Sequence, residues 1–105
     1  MQDRKRAQQV DREIAIVARV ILPDDPVEFD PLDEVQGLAE TAGAIVLSGL
    51  TQKREKPDTA TFLGRGKVEE LTQLVEFHAA DVVIFDNDLS PAQNRNLEIA
   101  LNIKV

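Results

Sequence analysis

Three stretches of the chain are almost uninterruptedly apolar, and the gaps between them place apolar residues at helical spacing. Ile14 to Leu22 (IAIVARVIL) is rich in branched side chains and suits a strand covered on both faces, ended by Pro23. Ala44 to about Leu50 reads as a second buried strand, and Asp81 to Phe85 (DVVIF) as a third. Between the first two, Asp30 predicts a helix cap with Pro31 at the first helical position, where a missing N–H costs little. Leu32, Val35, Leu38, Ala39 and Ala42 then share one face, and Gly43 can stop the helix in a left-handed conformation. Between the second and third strands, Val68, Leu71, Leu74, Val75 and His78 define the inner side of another helix. Ser90, Pro91 and Gln93 spell an S-x-x-Q capping box with proline at the first helical position, starting a helix that runs to about Leu101. Ile103 to Val105 reads as the start of a fourth strand.

This β-α-β-α-β-α-β order predicts an α/β fold, because right-handed crossovers join parallel strands and leave helices on both faces. The expected sheet is parallel and four-stranded, in the order 2-1-3-4. Residues 13–105 form the single expected domain, preceded by a flexible or partly helical lead-in over residues 1–12. The apparent fourth strand has no following helix, which suggests a piece of something longer.

Charge changes this picture. The chain carries net −7, yet residues 51–67 (TQKREKPDTATFLGRGK) hold five of its twelve basic side chains and are net +3. Residues 1–12 are net +2, whereas 13–50 are −7 and 68–105 are −5. Such a surface repels polyanions broadly and can meet nucleic acid or phosphate only locally, through Lys53, Arg54, Lys56, Arg65 and Lys67, the alternative being a solvated loop with ordinary surface charge. With no cysteine, disulfides, thiolate metal sites and a cysteine nucleophile are excluded, and a reducing cytoplasm is compatible. No apolar run approaches the ~20 residues of a membrane span, and the opening lacks a signal-peptide core. The four phenylalanines, without Trp or Tyr, are a poor platform for stacking single-stranded bases.

Gly64-Arg65-Gly66-Lys67 opens a helix, where free N–H groups, the helix dipole and two cations can hold a phosphate. It is not a P-loop: Lys67 is followed by Val68, so the hydroxyl that binds Mg²⁺ is missing. Nor is it a dinucleotide fingerprint, because Glu69 stands at the third glycine position. The structural alternative is a pair of glycines that let the chain turn tightly.

Asp24 and Asp25 follow the first strand, and Asp86 and Asp88 the third, at the edge where doubly wound sheets bind ligands. Asp24, Asp25 and Asp86 resemble the acidic Mg²⁺ pocket of response-regulator receiver domains, against the alternative that Asp is simply a common turn residue. The lone His78 fits a helix end better than catalysis. Gln93, Asn94, Arg95 and Asn96 form a polar helix face whose default is solvation, with interdomain or RNA-backbone contact as the alternative.

Two phrases carry a family resemblance: Leu50-Thr51-Gln52-Lys53-Arg54 leading to Pro57-Asp58-Thr59-Ala60-Thr61-Phe62-Leu63-Gly64-Arg65-Gly66-Lys67-Val68-Glu69-Glu70-Leu71, and Asp88-Leu89-Ser90-Pro91-Ala92-Gln93 with Arg95-Asn96-Leu97-Glu98. Together, over about Leu38 to Val105, they resemble the amino-terminal domain of the HflX family of ribosome-associated GTPases. The Asp86-Asn87-Asp88-Leu89 turn departs from the Asn-Asp-Glu-Leu order often found there.

The resemblance implies a small α/β domain followed by a helical hairpin and a GTPase domain, in a cytoplasmic protein that acts on the large ribosomal subunit in splitting or rescue. It further implies that GTP and Mg²⁺ bind in the missing domain, that this fragment has no catalysis or cofactor of its own, and that its five cations contact ribosomal RNA or a neighbouring domain. A small-ligand switch, with the receiver-like Mg²⁺ site or a nucleotide phosphate at Gly64 to Lys67, is the alternative.

Overall fold

The computed structural model describes residues 12–105, so nearly all of the expected lead-in lies outside the described residues. Six elements follow in order: β1 (Ile14–Ile21), α1 (Asp33–Thr41), β2 (Ile45–Lys53), α2 (Arg65–His78), β3 (Val82–Phe85) and α3 (Pro91–Leu101). The α/β class and the parallel pairing agree with the expectation, but the sheet has three strands in the order β2-β1-β3, not four. Asn102 turns the chain in the left-handed region (φ 57°) after α3. That turn delivers only Lys104 to the β3 edge, as one isolated parallel bridge to Val82 with a Val83 N–H···O Lys104 bond of 3.1 Å. One bridge is not a ladder, so Ile103 to Val105 do not make the expected strand.

Alternation along β1 divides the interior between two faces. Ile16, Ala18 and Val20 join Leu50, Val83, Leu71, Val75, Leu97 and Leu101 in the main core beneath α2 and α3. The intervening Ala15 and Val17 are also buried, on the face covered by α1 through Val35 and Ala39. This double coverage explains why the central strand reads as one continuous apolar run.

The edge strand is different from its expected form. β2 runs on to Lys53, absorbing the first three residues of the cationic segment, and Ile45 and Leu47, at the start of this edge strand, are 44% and 47% exposed. A register shift between Ala15 and Ile16 adds one residue to β2 at this point.

α1 begins two residues later than the cap expected at Asp30, and Leu38 on its expected inner face is 65% exposed. Asp30 instead makes the entry turn, its Oδ1 accepting from Leu32 N at 3.1 Å. Gly43 takes the expected positive φ, at 100°. In α3 the predicted capping box forms: Ser90 Oγ accepts from Gln93 N (3.1 Å) and Gln93 Oε1 from Ser90 N (2.9 Å).

Candidate functional site

The loop from Pro57 to Gly64 is a built element. Asp58 and Phe62 exchange two backbone hydrogen bonds of 3.0 Å, and Asp58 Oδ1 accepts from the N–H groups of Ala60 (2.8 Å) and Thr61 (3.1 Å). These two N–H groups, with the nearby Arg54 charge, hold the Asp58 carboxyl below its ordinary value. Phe62 adopts a left-handed backbone (φ 66°), unfavourable for a bulky residue. Burial of Phe62 and of the fully buried Leu63 in the main core offsets that strain.

The second signature phrase holds the first. Gln93 Nε2 donates to Asp58 O and Asn96 Nδ2 to Ala60 O, both at 2.9 Å. Polar residues of α3 that read as a solvated face are therefore used inside the domain, while Arg95 is exposed.

Gln52, on β2, closes the other side by accepting from Gly64 N at 2.8 Å. Gly64 caps α2 with a φ of −66°, so left-handed freedom is not why it is glycine. A Cβ there would stand 2.6 Å from Arg54 Nη1 and 3.0 Å from Gln52 Nε2, the ends of two side chains that fold over this residue. At Gly66 a Cβ would meet nothing within 4 Å.

The cations divide between two sides. Arg54 folds back over the start of α2, its Nε donating to Lys56 O at 3.0 Å, and so lies beside the turn that carries Arg65 and Lys67. Arg65 is exposed, and Lys67 Nζ stands 3.0 Å from Glu70, an exposed pair too weak to immobilise it. The Lys56 side chain is exposed nearby. Lys53, next to Arg54 in sequence, instead lines a groove on the α1 side with Arg19, Ile21, Asp25 and Val27.

The acidic edge is organised by Arg19, which sequence reasoning passes over inside an apolar run. Its Nη1 donates to Glu28 Oε2 at 2.6 Å and to Pro31 O at 3.0 Å, and lies 3.9 Å from Asp86. Burial disfavours the guanidinium charge, but the hydrogen bond to Glu28 and the carboxylates of Glu28, Asp86 and Asp25 outweigh it and raise its pKa. Asp25 Oδ2 is committed to Leu22 N (2.8 Å), while Asp24 is exposed. Among the described residues no group of three or more acidic or histidine side chains is placed to hold a metal, so Asp24, Asp25 and Asp86 do not converge.

Asn87 is a second residue that sequence reasoning misses. Its side chain continues the β1–β3 ladder, Oδ1 accepting from Val20 N (2.8 Å) and Nδ2 donating to Val20 O (3.0 Å). His78 ends α2, its ring edge-on to Phe77 at 4.8 Å. Among the described residues no helix is long and apolar enough to cross a membrane.

Comparison with known proteins joins these features. Residues 30–105 match the family model described as GTP-binding GTPase N-terminal. The chain is 42% identical over 95 residues to the GTPase HflX of Caldanaerobacter subterraneus subsp. tengcongensis, covering 90% of this chain and 22% of that protein. It is 39% identical over 105 residues to the GTPase HflX of Alkalihalophilus pseudofirmus (100% and 24%) and 37% identical over 86 residues to that of Escherichia coli (82% and 20%). The Alkalihalophilus match includes the segment before Leu38, which has no signature of its own. The chain spans about a quarter or less of the length of these relatives. With the two signature phrases locked together in one α/β domain, the chain belongs to the GTP-binding GTPase N-terminal family, as an HflX amino-terminal domain.

Proposed function

We propose that this domain serves, within a longer HflX-like GTPase, as a module that binds the large ribosomal subunit and communicates with the adjoining helical hairpin and GTPase domain, without catalysis of its own. In this reading GTP and Mg²⁺ are used by the GTPase domain, and the whole protein works in the cytoplasm. The observation that carries it is the cationic end of α2, where Arg54 folds over Gly64 beside Arg65 and Lys67. Cations gathered on a preformed turn, with Arg65 exposed and Lys67 held only by a surface pair to Glu70, suit contacts to RNA phosphate, which position a protein without reading sequence. Lys56 extends that end, and Lys53 serves the other side of the sheet, towards a neighbouring domain.

The test is co-sedimentation of the full-length protein with large ribosomal subunits across a salt series. Replacing Arg54, Lys56, Arg65 and Lys67 by Ala weakens association and flattens its salt dependence, by about 0.7 to 0.9 in log–log slope for each phosphate no longer neutralised. An unchanged profile at every salt concentration removes the proposal.

One observation favours a second reading, a phosphate-binding turn at Gly64 and Gly66. Gly66 faces open space, so the domain's own packing does not require glycine there, and a ligand could approach the backbone. Calorimetry with ATP and GTP in the presence of Mg²⁺ separates the two, since the ribosome reading predicts no saturable binding by this domain.

A further inference from the structure

A second surface is built by the loop between β1 and α1, whose Val27 end adjoins Lys53 and Arg54 and whose Phe29 end is lined by carboxylates. Between Arg19 and Lys53 the sequence holds seven carboxylates (Asp24, Asp25, Glu28, Asp30, Asp33, Glu34, Glu40) and no Lys or Arg. In their midst Val27 and Phe29 are 103% and 107% exposed. The loop that presents them is anchored on both sides. Asp25 closes a turn on Leu22, with Oδ2 accepting from Leu22 N (2.8 Å) and Asp25 N donating to Leu22 O (3.0 Å). Arg19 ties Glu28 at 2.6 Å and the carbonyl of Pro31 at 3.0 Å. Asp30 Oδ1 then fixes the entry to α1 through Leu32 N.

An apolar pair held out in water on a braced loop has lost ordering entropy before any partner arrives, the condition under which a buried aromatic becomes an anchor of binding. The rim decides the partner's chemistry. Glu28, Asp30, Asp33 and Glu34 border a shallow depression around Phe29, and only Glu28 among them is ion-paired among the described residues. Asp33 and Glu34 open α1, whose last turn carries no basic residue. Nucleic acid is repelled by such a rim, whereas Lys and Arg are attracted.

We propose that the 24–34 loop and the first turn of α1 form a docking surface for a basic amphipathic segment of a partner protein, with Val27 and Phe29 packing against its apolar side chains and the surrounding carboxylates meeting its Lys or Arg. This surface is independent of the ribosomal-RNA reading and lies on different residues.

The test titrates the 105-residue chain with a synthetic amphipathic peptide of lysine and leucine at helical spacing, followed by amide chemical shifts in NMR. A lysine–serine peptide of the same length and charge and a single-stranded RNA oligomer are the comparison probes. Saturable shifts confined to the loop and the start of α1, with the lysine–leucine peptide alone, are the expected result. Val27→Ser with Phe29→Ser weakens binding about tenfold or more, since both side chains are anchors and neither supports the fold. Asp33→Asn with Glu34→Gln also weakens it, while Glu69→Gln with Glu70→Gln, an equal loss of charge on α2, does not. Equal binding of the lysine–serine peptide overturns the proposal, as do shifts spread over the acidic surface or an equal effect of the α2 pair. So does RNA binding at the loop, or self-association through it in sedimentation.

Discussion

Gln93 and Asp58, far apart in sequence, meet through one hydrogen bond, Nε2 donating to the Asp58 carbonyl at 2.9 Å. The same side chain accepts from Ser90 N at 2.9 Å, so one glutamine both starts α3 and fastens the loop that leads into α2. Gln93→Ala removes both functions. The expected loss is about 1–3 kcal/mol, from a typical cap plus one hydrogen bond, measured by urea denaturation. Gln93→Glu keeps the acceptor and loses the donor, so it recovers only part of the loss. A Gln93→Ala, Asn96→Ala double mutant should lose less than the sum of the single losses, because both residues hold one loop.

The glycines of the Gly64-Arg65-Gly66 turn are expected to respond with opposite sign. A Cβ at Gly64 meets Arg54 Nη1 at 2.6 Å and Gln52 Nε2 at 3.0 Å, so Gly64→Ala displaces both side chains and strains the Gln52 bond to Gly64 N. It destabilises the domain by about 1 kcal/mol, close to the worth of that bond. Gly66→Ala meets no neighbour and stabilises it by about 0.5–1 kcal/mol through lower unfolded-state entropy and better helix propensity. Thermal denaturation of the two variants reads the difference directly.

Asp58 links stability to acid. Hydrogen bonds from Ala60 N and Thr61 N, and the charge of Arg54, hold its folded pKa below the ordinary value of 3.8, so the ionised form is favoured in the folded state. A depressed carboxyl contributes stability that is complete above its unfolded pKa and is lost as the pH falls through the lower, folded value. The expected loss therefore begins near the ordinary Asp range and deepens below it. Asp58→Asn flattens this part of the profile of denaturation midpoint against pH, leaving the remaining carboxylates to account for what slope persists. A profile unchanged by that substitution rules the linkage out.

How much of this is legible in the chain depends on range. The largely buried β1, the Ser90 to Gln93 capping box and the left-handed Gly43 are set by neighbours a few residues away, and all are readable. The fourth strand is not, because whether Ile103 to Val105 pair depends on how the turn at Asn102 aims the chain, not on apolar content. β2 reads as buried because apolar content does not reveal that the strand lies at the edge of the sheet. At the candidate site, the charge cluster is visible as composition, but its arrangement is not: β2 extends to Lys53, into what reads as loop, and Arg54, just past its end, folds back over Gly64. Gln52, Asn87 and Arg19 act through partners that only folding brings near. Alternation carried through β2 to Lys53 is the signal that finds the first of them.

Asn87 offers the sharpest test of such a distant partnership. β3 ends at Phe85, yet the β1 backbone continues past it, and Val20 there presents an N–H and a carbonyl that a short β3 cannot reach. The Asn87 amide supplies both partners, at 2.8 and 3.0 Å, as a strand backbone would. Asn87→Ala leaves those two groups of a fully buried residue without their partners and is expected to cost about 1–3 kcal/mol, the penalty of an unsatisfied buried polar group. Asn87→Asp keeps an acceptor for Val20 N but faces the Val20 carbonyl with a second oxygen, so it does not restore stability at neutral pH. It should recover part of it in acid, where the protonated carboxyl can donate in place of the amide. Urea denaturation of both variants at neutral and acidic pH, with hydrogen exchange at Val20 N, separates this ladder-extending role from a general loss of turn structure. Protection at Val20 that survives Asn87→Ala refutes it.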